Sequence, residues 1–179
     1  MQTTVLMDER ELEKTLTDLS QHLIAHFKSA DELVIIGIRT RGVPLAHRLQ
    51  KKLSDNFKTV IPSGILDITL YRDDLSQLAS QPIVEPTHLP FDVSLKKVIL
   101  VDDVLFTGRT IRAALDQLID FGRPLVVRLV ALVDRGWREY PIQPDFVGKK
   151  IETSLNQIVQ VRLKEIDGED SVCLVTKEL

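Results

Sequence analysis

Apolar residues recur along the chain in two rhythms, a helical spacing of three to four positions and short continuous runs, and their alternation lays out the elements. Behind Asp8 and Glu11, a pair three residues apart that suits a capping box, Leu12, Leu16, Leu19, Leu23 and Phe27 form a helical stripe. His22 and His26 lie four apart on that helix without further ligands nearby and read as a solvated face. Leu33 to Ile38 is a short β-branched run, hence a strand, and it stops at Gly37-Ile38-Arg39-Thr40-Arg41-Gly42. Pro44 suits a first helical turn, with Leu45, Leu49 and Leu53 as the stripe behind it. From Gly64 to Tyr71 polarity alternates, Leu66, Ile68 and Leu70 against Asp67, Thr69 and Tyr71, which predicts a strand with one polar face.

Residues 72–96 carry Pro82, Pro86 and Pro90 and little periodicity of either kind, so they are expected to form a lid or mobile arm. Val98 to Val101 is continuously apolar, as a parallel strand covered on both faces should be. Ile111, Ala114, Leu115, Leu118 and Ile119 then mark a helix that starts near Thr110 and ends at Phe121-Gly122-Arg123-Pro124. Leu125 to Val133 is a further strand, ending in Asp134-Arg135-Gly136-Trp137-Arg138, and the tail supplies short strands at Ile158–Leu163 and Ser171–Thr176 around an Asp167-Gly168 turn. Alternating strands and helices with polar loops after each strand predict a doubly wound α/β fold on a mainly parallel sheet. Ligands in such folds sit beyond the carboxyl ends of the strands. The loops after Ile38, Val104 and Val133 should therefore share one cleft. The expected organisation is a single domain over 1–179, with a lid at about 72–96 and a small hood at about 134–160.

Bulk properties narrow the function classes. A net charge of −3 gives no global attraction to polyanions, so any nucleic-acid binding must rest on a local patch. Cys173 is the only cysteine, which excludes an internal disulfide and a cysteine-based zinc site. No apolar run approaches the ~20 residues of a membrane span, and the amphipathic, acidic N-terminal stretch is unlike a secretion signal. A cytoplasmic protein without membrane partners is expected.

The chemistry concentrates at Val98–Thr110, VILVDDVLFTGRT. A buried strand closes on Asp102 and Asp103, then breaks into a loop in which Gly108 permits an unusual backbone and Thr107 and Thr110 supply hydroxyls at a helix start. Free N–H groups at such a start make a phosphate cradle, while the aspartates are acceptors suited to vicinal sugar hydroxyls or a hydrated metal. Two rivals share parts of the pattern. A nucleoside triphosphatase would need G-x-x-x-x-G-K-[ST], which is absent, and a receiver-type phosphoacceptor would carry its acidic cluster near the first strand. Arg39-Thr40-Arg41-Gly42 adds two cations and a hydroxyl, which suits a pyrophosphate as well as a solvated basic turn.

An acidic pair beside a phosphate cradle fits a phosphoribosyl group, and the run closely resembles the 5-phosphoribosyl-1-pyrophosphate (PRPP) signature of type I phosphoribosyltransferases. Resemblance extends over nearly the whole chain to the bifunctional pyrimidine operon regulator/uracil phosphoribosyltransferase family. It rests on GIRTRG (37–42), DITLYRDDL (67–75), LVDRG (132–136), RE (138–139) and FVGKKI (146–151) in that order. The resemblance implies transfer of phosphoribose from PRPP to uracil, giving UMP and pyrophosphate, with Mg²⁺ held largely by the substrate and no metal site of side chains alone. It also implies UMP-dependent binding of pyrimidine leader mRNA and a homodimer or higher homo-oligomer.

Carried onto this chain, the resemblance makes Asp102, Asp103 and Arg72 the catalytic set, with the aspartates on O2′ and O3′. Val104, Leu105, Phe106, Thr107, Gly108, Arg109 and Thr110 would hold the 5′-phosphate, and Thr40 and Arg41 the pyrophosphate, a position where the family often has a strained peptide bond. Arg72, Asp73 and Asp74 would begin the lid. Arg135, Phe146, Val147 and Val159 are the base-binding candidates, a core role for Phe146 and Val159 remaining open; Thr17, Arg138 and Lys149 are the RNA-binding candidates. The chain departs from the family at Asp18, Gln21, Trp137, Tyr140 and Glu152, all on the surface the family gives to RNA, while the catalytic blocks are intact. A salvage enzyme that has lost RNA regulation, or a transferase for another base, stands as the alternative.

Overall fold

The run Val98–Val101 occupies the middle of the molecule. In the computed structural model, which describes residues 2–73 and 86–177, it lies in β4 (Lys97–Leu105), the central strand of a five-stranded parallel sheet in the order β3-β2-β4-β5-β6. The neighbours are β2 (Leu33–Ile38), β3 (Ser63–Leu66), β5 (Val126–Asp134) and β6 (Phe146–Lys150). Every residue of β2 is buried and Val98 to Val101 are at most 1 % exposed, the state that continuous apolar runs predict for strands covered on both sides. Alternate residues serve opposite faces. Ile99 and Val101 join the core formed with α1 (Glu9–Phe27) and α2 (Gly42–Phe57), whereas Val98 and Leu100 join the core under α3 (Arg109–Asp120). The helical stripes are those read from the sequence. Leu12, Leu16, Leu19 and Leu23 of α1 and Leu45, Leu49 and Leu53 of α2 are buried, and Asp8 with Glu11 forms the expected capping box.

Two expectations are corrected. The strand predicted over Gly64–Tyr71 ends at Leu66, the last residue in register with Ile38. Asp67 Oδ1 accepts from Thr69 N at 2.9 Å and from its hydroxyl at 2.5 Å, which turns the chain into a 3₁₀ turn at Thr69–Tyr71 and leaves Leu70 61 % exposed. A short polar side chain here outcompetes the ladder for a backbone donor. Of the arm expected at 72–96, residues 74–85, with Asp74 and Pro82, lie outside the described residues. The part from Pro86 onward is packed: His88 and Ile65 exchange two backbone hydrogen bonds, Val93 is buried, and Leu89 and Phe91 lie against the second core.

The hood is also built differently from the expected 134–160. A second sheet, antiparallel in the order β1-β8-β7, joins β1 (Gln2–Met7) to β8 (Ser171–Thr176) and β7 (Gln157–Arg162), so the two ends of the chain make it together. β1 escapes the periodicity reading because Val5 is 62 % exposed and only Met7 is buried. Apolar residues of this sheet, Val159, Val161 and Val172, enter the first core. Ion pairs then fasten it. Arg48 on α2 holds Glu165 at 2.6 Å and Asp170 at 2.8 Å, Arg41 holds Asp167 at 2.8 Å, and Lys164 pairs with Glu9. Glu165 and Asp167 belong to the short helix α4 (Lys164–Asp167). Among the described residues no helix is long and apolar enough to cross a membrane.

Arg48 pulls the Glu165 carboxyl below its usual range and Arg41 does the same for Asp167; at Asp170 burial acts upward, but Arg48 and the Lys164 N–H and charge together bring the carboxyl below its usual range. Carboxyls depressed in the fold stabilise it above their unfolded pKa and lose that contribution as pH falls through the acid range near 4. Arg48→Met leaves Asp170 without its charge-assisted bonds and should cost about 1.5–3 kcal/mol at pH 7. The gap to the unsubstituted protein should shrink below about pH 4, where the carboxyls protonate. Urea denaturation at pH 7 and pH 3.5 measures both numbers; an equal loss at the two would contradict the assignment.

Candidate active site

At its carboxyl end β4 carries two acids into the protein. Asp102 is 6 % exposed, and the pair turns back on its own backbone: Asp103 N donates to Asp102 Oδ1 at 3.0 Å and Val104 N to Asp103 Oδ1 at 2.9 Å. Burial, and after it the neighbouring Asp103 charge, pushes the Asp102 carboxyl well above the usual range. Burial also raises Asp103, against which the Asp102 hydroxyl, the Val104 N–H and the Arg41 cation act in that order. Adjacent carboxyl groups repel as anions, so the two titrate as a pair and hold their protons more tightly than isolated carboxyls do.

The loop after β2 closes against this pair. A Cβ at Gly42 would lie 2.4 Å from the Val101 carbonyl oxygen, so only glycine lets that loop lie on β4. The peptide between Arg39 and Thr40 is cis. Arg39, Thr40, Arg41, Asp67, Thr69, Arg72, Asp102, Asp103, Val104 and Thr110 line a cavity of about 470 Å³. Arg41 faces it while its guanidinium is held by Asp167 Oδ1 at 2.8 Å and Oδ2 at 3.3 Å.

Immediately beyond, Phe106, Thr107, Arg109 and Thr110 line a second cavity of about 640 Å³, which shares Arg72 and Thr110 with the first. Gly108 has φ +92° and caps α3 without a side-chain bond of its own; Arg109 N donates to Thr107 Oγ1 at 3.3 Å, and the next N–H groups of the turn face a ligand. Arg109 is pinned across this cavity by Asp73 and, at 2.6 Å, by Glu139. Leu105 is core, 1 % exposed, and offers the loop only its backbone. A third recess of about 320 Å³ lies under the hood, walled by Ile158, Val159, Gln160, Val161 and Val175 and bounded by Arg41 and Asp103.

Several expected site residues lie elsewhere. Phe146 and Val147 open β6 opposite Val130 and Ala131, at the amino end of a parallel strand and thus away from the cleft; Phe146 packs edge-on to His26 at 5.4 Å. Arg135 is 5 % exposed, stacked over the Phe106 ring at 4.0 Å and bonded to Thr153 Oγ1 and the Ser154 carbonyl, so it lies behind the cradle and not in a base pocket. Val159 alone of the base candidates faces a recess beside the acidic pair.

The RNA candidates are occupied internally. Thr17 Oγ1 donates to Glu13 O and accepts from Lys52 Nζ, Lys149 Nζ donates to Leu6 O at 2.7 Å, and Arg138 is 13 % exposed with Asp134 and three carbonyls as partners. Trp137, 48 % exposed, donates its indole N–H to Thr153 O. Asp67, Glu139 and Asp167 were not read as site residues from the sequence. Asp167 carries a turn signal before Gly168, and nothing in a linear pattern pairs it with Arg41.

Among the described residues no group of three or more His, Cys, Asp or Glu could hold a metal ion. Beside three arginines, the first cavity offers the oxygens of Asp67, Asp102 and Asp103, which fit a hard, hydrated cation brought in on a substrate's phosphates.

Comparison with known proteins agrees with this geometry. A family model described as the phosphoribosyl transferase domain matches residues 2–166. A protein named bifunctional protein PyrR from Deinococcus deserti is 55 % identical over 90 % of this chain and 88 % of its own. Its namesake from Clostridioides difficile is 51 % identical over 94 % and 96 %. Among solved structures, a hypoxanthine phosphoribosyltransferase from Staphylococcus aureus superposes with a TM-score of 0.71 at 20 % identity, covering 97 % of this chain and 92 % of that one. The same enzyme of Trypanosoma cruzi gives 0.71 at 17 % identity, covering 98 % and 97 %.

The raised Asp102 carboxyl has a stability consequence with a fixed sign. A native acid that binds its proton more tightly than the unfolded chain loses stability as pH rises from the ordinary value of 3.8 to its own, and carries the full penalty above that. Asp102→Asn should therefore melt higher than the unsubstituted protein at pH 7.5, by roughly 2–4 °C for each kcal/mol released, with the difference closing toward pH 4. Thermal melts across that range check it; a variant less stable at neutral pH would count against the buried-pair reading.

Proposed function

The chain belongs to the phosphoribosyltransferase family, with bifunctional PyrR proteins as its relatives, and on that premise we propose that it transfers the 5-phosphoribosyl group of PRPP to uracil, forming UMP and pyrophosphate. One observation carries the reading: an acidic pair at the end of β4 stands between a cavity ringed by Arg39, Thr40 and Arg41 and a cradle at the start of α3. Pyrophosphate, ribose and 5′-phosphate follow one another in that order along PRPP. Thr40 and Arg41 bind the pyrophosphate, the Asp102–Asp103 pair accepts from O2′ and O3′, and Thr107, Thr110 and the N–H groups of the 104–110 loop hold the 5′-phosphate. Leu105 and Gly108 contribute backbone only.

Departure of pyrophosphate leaves positive charge on the ribose, and a fixed carboxylate in a site shielded from water stabilises that charge without reorganising. Asp103, whose charge Arg41 favours, is that group. Arg72, at the rim shared by both cavities, faces the leaving group. Asp67, Asp102 and Asp103 are the acidic side chains of the cavity that would face an Mg²⁺ ion bound to PRPP, which would supply neutralisation of the pyrophosphate charge. Uracil takes the recess beneath the hood, with Val159 among its walls and Gln160 as its polar side chain.

The second function is UMP-dependent binding of pyrimidine leader RNA, supported by the word bifunctional in the relatives' name. Arg138 is paired with Asp134, but Lys149 keeps its charge while one of its donors reaches Leu6 O, so Lys149→Gln should loosen β1 and, if the ammonium meets a phosphate, reduce the salt slope of hairpin binding by about 0.7–0.9. Titrating a leader hairpin with and without UMP at several salt concentrations tests both points, and binding that ignores UMP would leave a salvage enzyme.

Supplying PRPP, Mg²⁺ and each common base in turn tests the transfer, and a purine product without UMP would overturn the base. Asp103→Asn should keep the fold and lose about 1.5–3 kcal/mol of transition-state stabilisation, roughly ten- to a hundredfold in kcat/KM. Unchanged rates in a folded variant would refute the ribose assignment.

A further inference from the structure

The phosphate cradle is gripped from outside by the segment after β5. Arg138 Nη1 donates to the Phe106 carbonyl at 2.7 Å and to Gly136 O at 3.2 Å, Nε donates to Ile142 O at 2.8 Å, and Nη2 pairs with Asp134 Oδ1 at 2.7 Å. The two charged side chains of that pair are 13 % and 9 % exposed, so neither is a solvated surface group. One residue on, Glu139 N and Tyr140 N both donate to the Thr107 carbonyl, at 2.9 and 3.1 Å. The packing is close as well: a Cβ at Gly108 would lie 3.2 Å from Tyr140 Cβ and 3.4 Å from Ile142 Cβ.

In a planar trans peptide the C=O and the following N–H point in opposite directions. Holding the carbonyls of Phe106 and Thr107 outward therefore turns the N–H groups of Thr107 and Gly108 inward, toward the cradle. A loop left to itself would sample both orientations of each peptide, and a carbonyl turned inward would repel a phosphate.

We propose that Arg138 is a positioning residue of the phosphate cradle. It fixes the peptide at 106–107 with its donor inward and does not touch the ligand, while the backbone N–H groups of Glu139 and Tyr140 hold the peptide at 107–108. Planar geometry suits the task, because one guanidinium reaches three carbonyls and a carboxylate at once, which an ammonium on a flexible stem cannot. The inference rests on the reading that residues 104–110 hold the 5′-phosphate.

Calorimetric binding of UMP, uridine and inorganic pyrophosphate to the whole protein and to Arg138→Gln and Arg138→Lys separates the possibilities, with melts run alongside to establish folding. UMP affinity should fall at least roughly tenfold in Arg138→Gln, the scale of one hydrogen bond to a charged group. Arg138→Lys keeps the charge beside Asp134 and serves where the glutamine variant fails to fold; its UMP affinity should fall nearly as far. Uridine and pyrophosphate, which do not use the cradle, should bind both variants as they bind the unsubstituted protein, and in turnover KM for PRPP should rise more than kcat falls. Parallel weakening of all three ligands would mark a merely structural residue and overturn the proposal, as would UMP binding that does not change. An unsubstituted protein that binds UMP no better than uridine would instead sink the cradle reading, and this inference with it.

Discussion

Two adjacent carboxyl groups at the end of the central strand, Asp102 buried and Asp103 on the cleft, set the terms for what surrounds them. Such a pair can exist only if a proton, a backbone donor or a cation answers each charge, because the penalty for an unanswered one would exceed the net stability of most domains. Here the answers are local and then remote. Asp103 N and Val104 N cap the two side chains, burial favours a retained proton most strongly at Asp102, and Arg41 supplies the nearby positive field. The sheet is committed to this arrangement, since Asp102 stands in register with Ala131 in the middle of the β4–β5 ladder and cannot turn outward without breaking it. A stable protein would place an apolar residue there. The acid is retained where its charge state meets the ribose.

Arg41 links this centre to the hood. It lies between Asp103, whose carboxyl its charge steadies, and Asp167, which grips it with both oxygens. An arginine tethered so holds its orientation before any substrate arrives, which lowers the entropic cost of clamping a phosphate. The same surface of the hood supplies the apolar walls of the third recess, so leaving-group and base subsites share a boundary although their residues are far apart in the chain.

What could be read from the linear pattern was whatever depends on period and local chemistry. The β4 run, the acidic pair, the glycine before α3 and the stripes of α1 and α2 all announce themselves, because each obeys a rule that spans a few neighbours. Phe146, Arg138 and Lys149 did not, because a side chain's work depends on what lies across from it. Phe146 sits in a block that matches the family yet opens its strand at the wrong end for the cleft. Arg138 and Lys149 look like free cations in a sequence and prove to donate to the carbonyls of Phe106 and Leu6. Asp67 is the reverse case: the apolar alternation continues through Leu70, yet an Asp two residues before Thr69 is a local turn signal, and the turn prevails. β1 is invisible for a third reason, since an edge strand that buries one residue has no apolar face to display.

That edge strand has a bearing on how the protein comes into being. β1 pairs with β8, Gln2 facing Thr176, so a segment that precedes the whole parallel sheet in the chain waits for one that follows it. The parallel sheet can assemble from residues already outside the ribosome, but the hood, the Asp167 tether on Arg41 and the roof of the third recess cannot. Vectorial synthesis thus divides the molecule in time: a nascent chain can hold the phosphate cradle before it has anywhere to put a base.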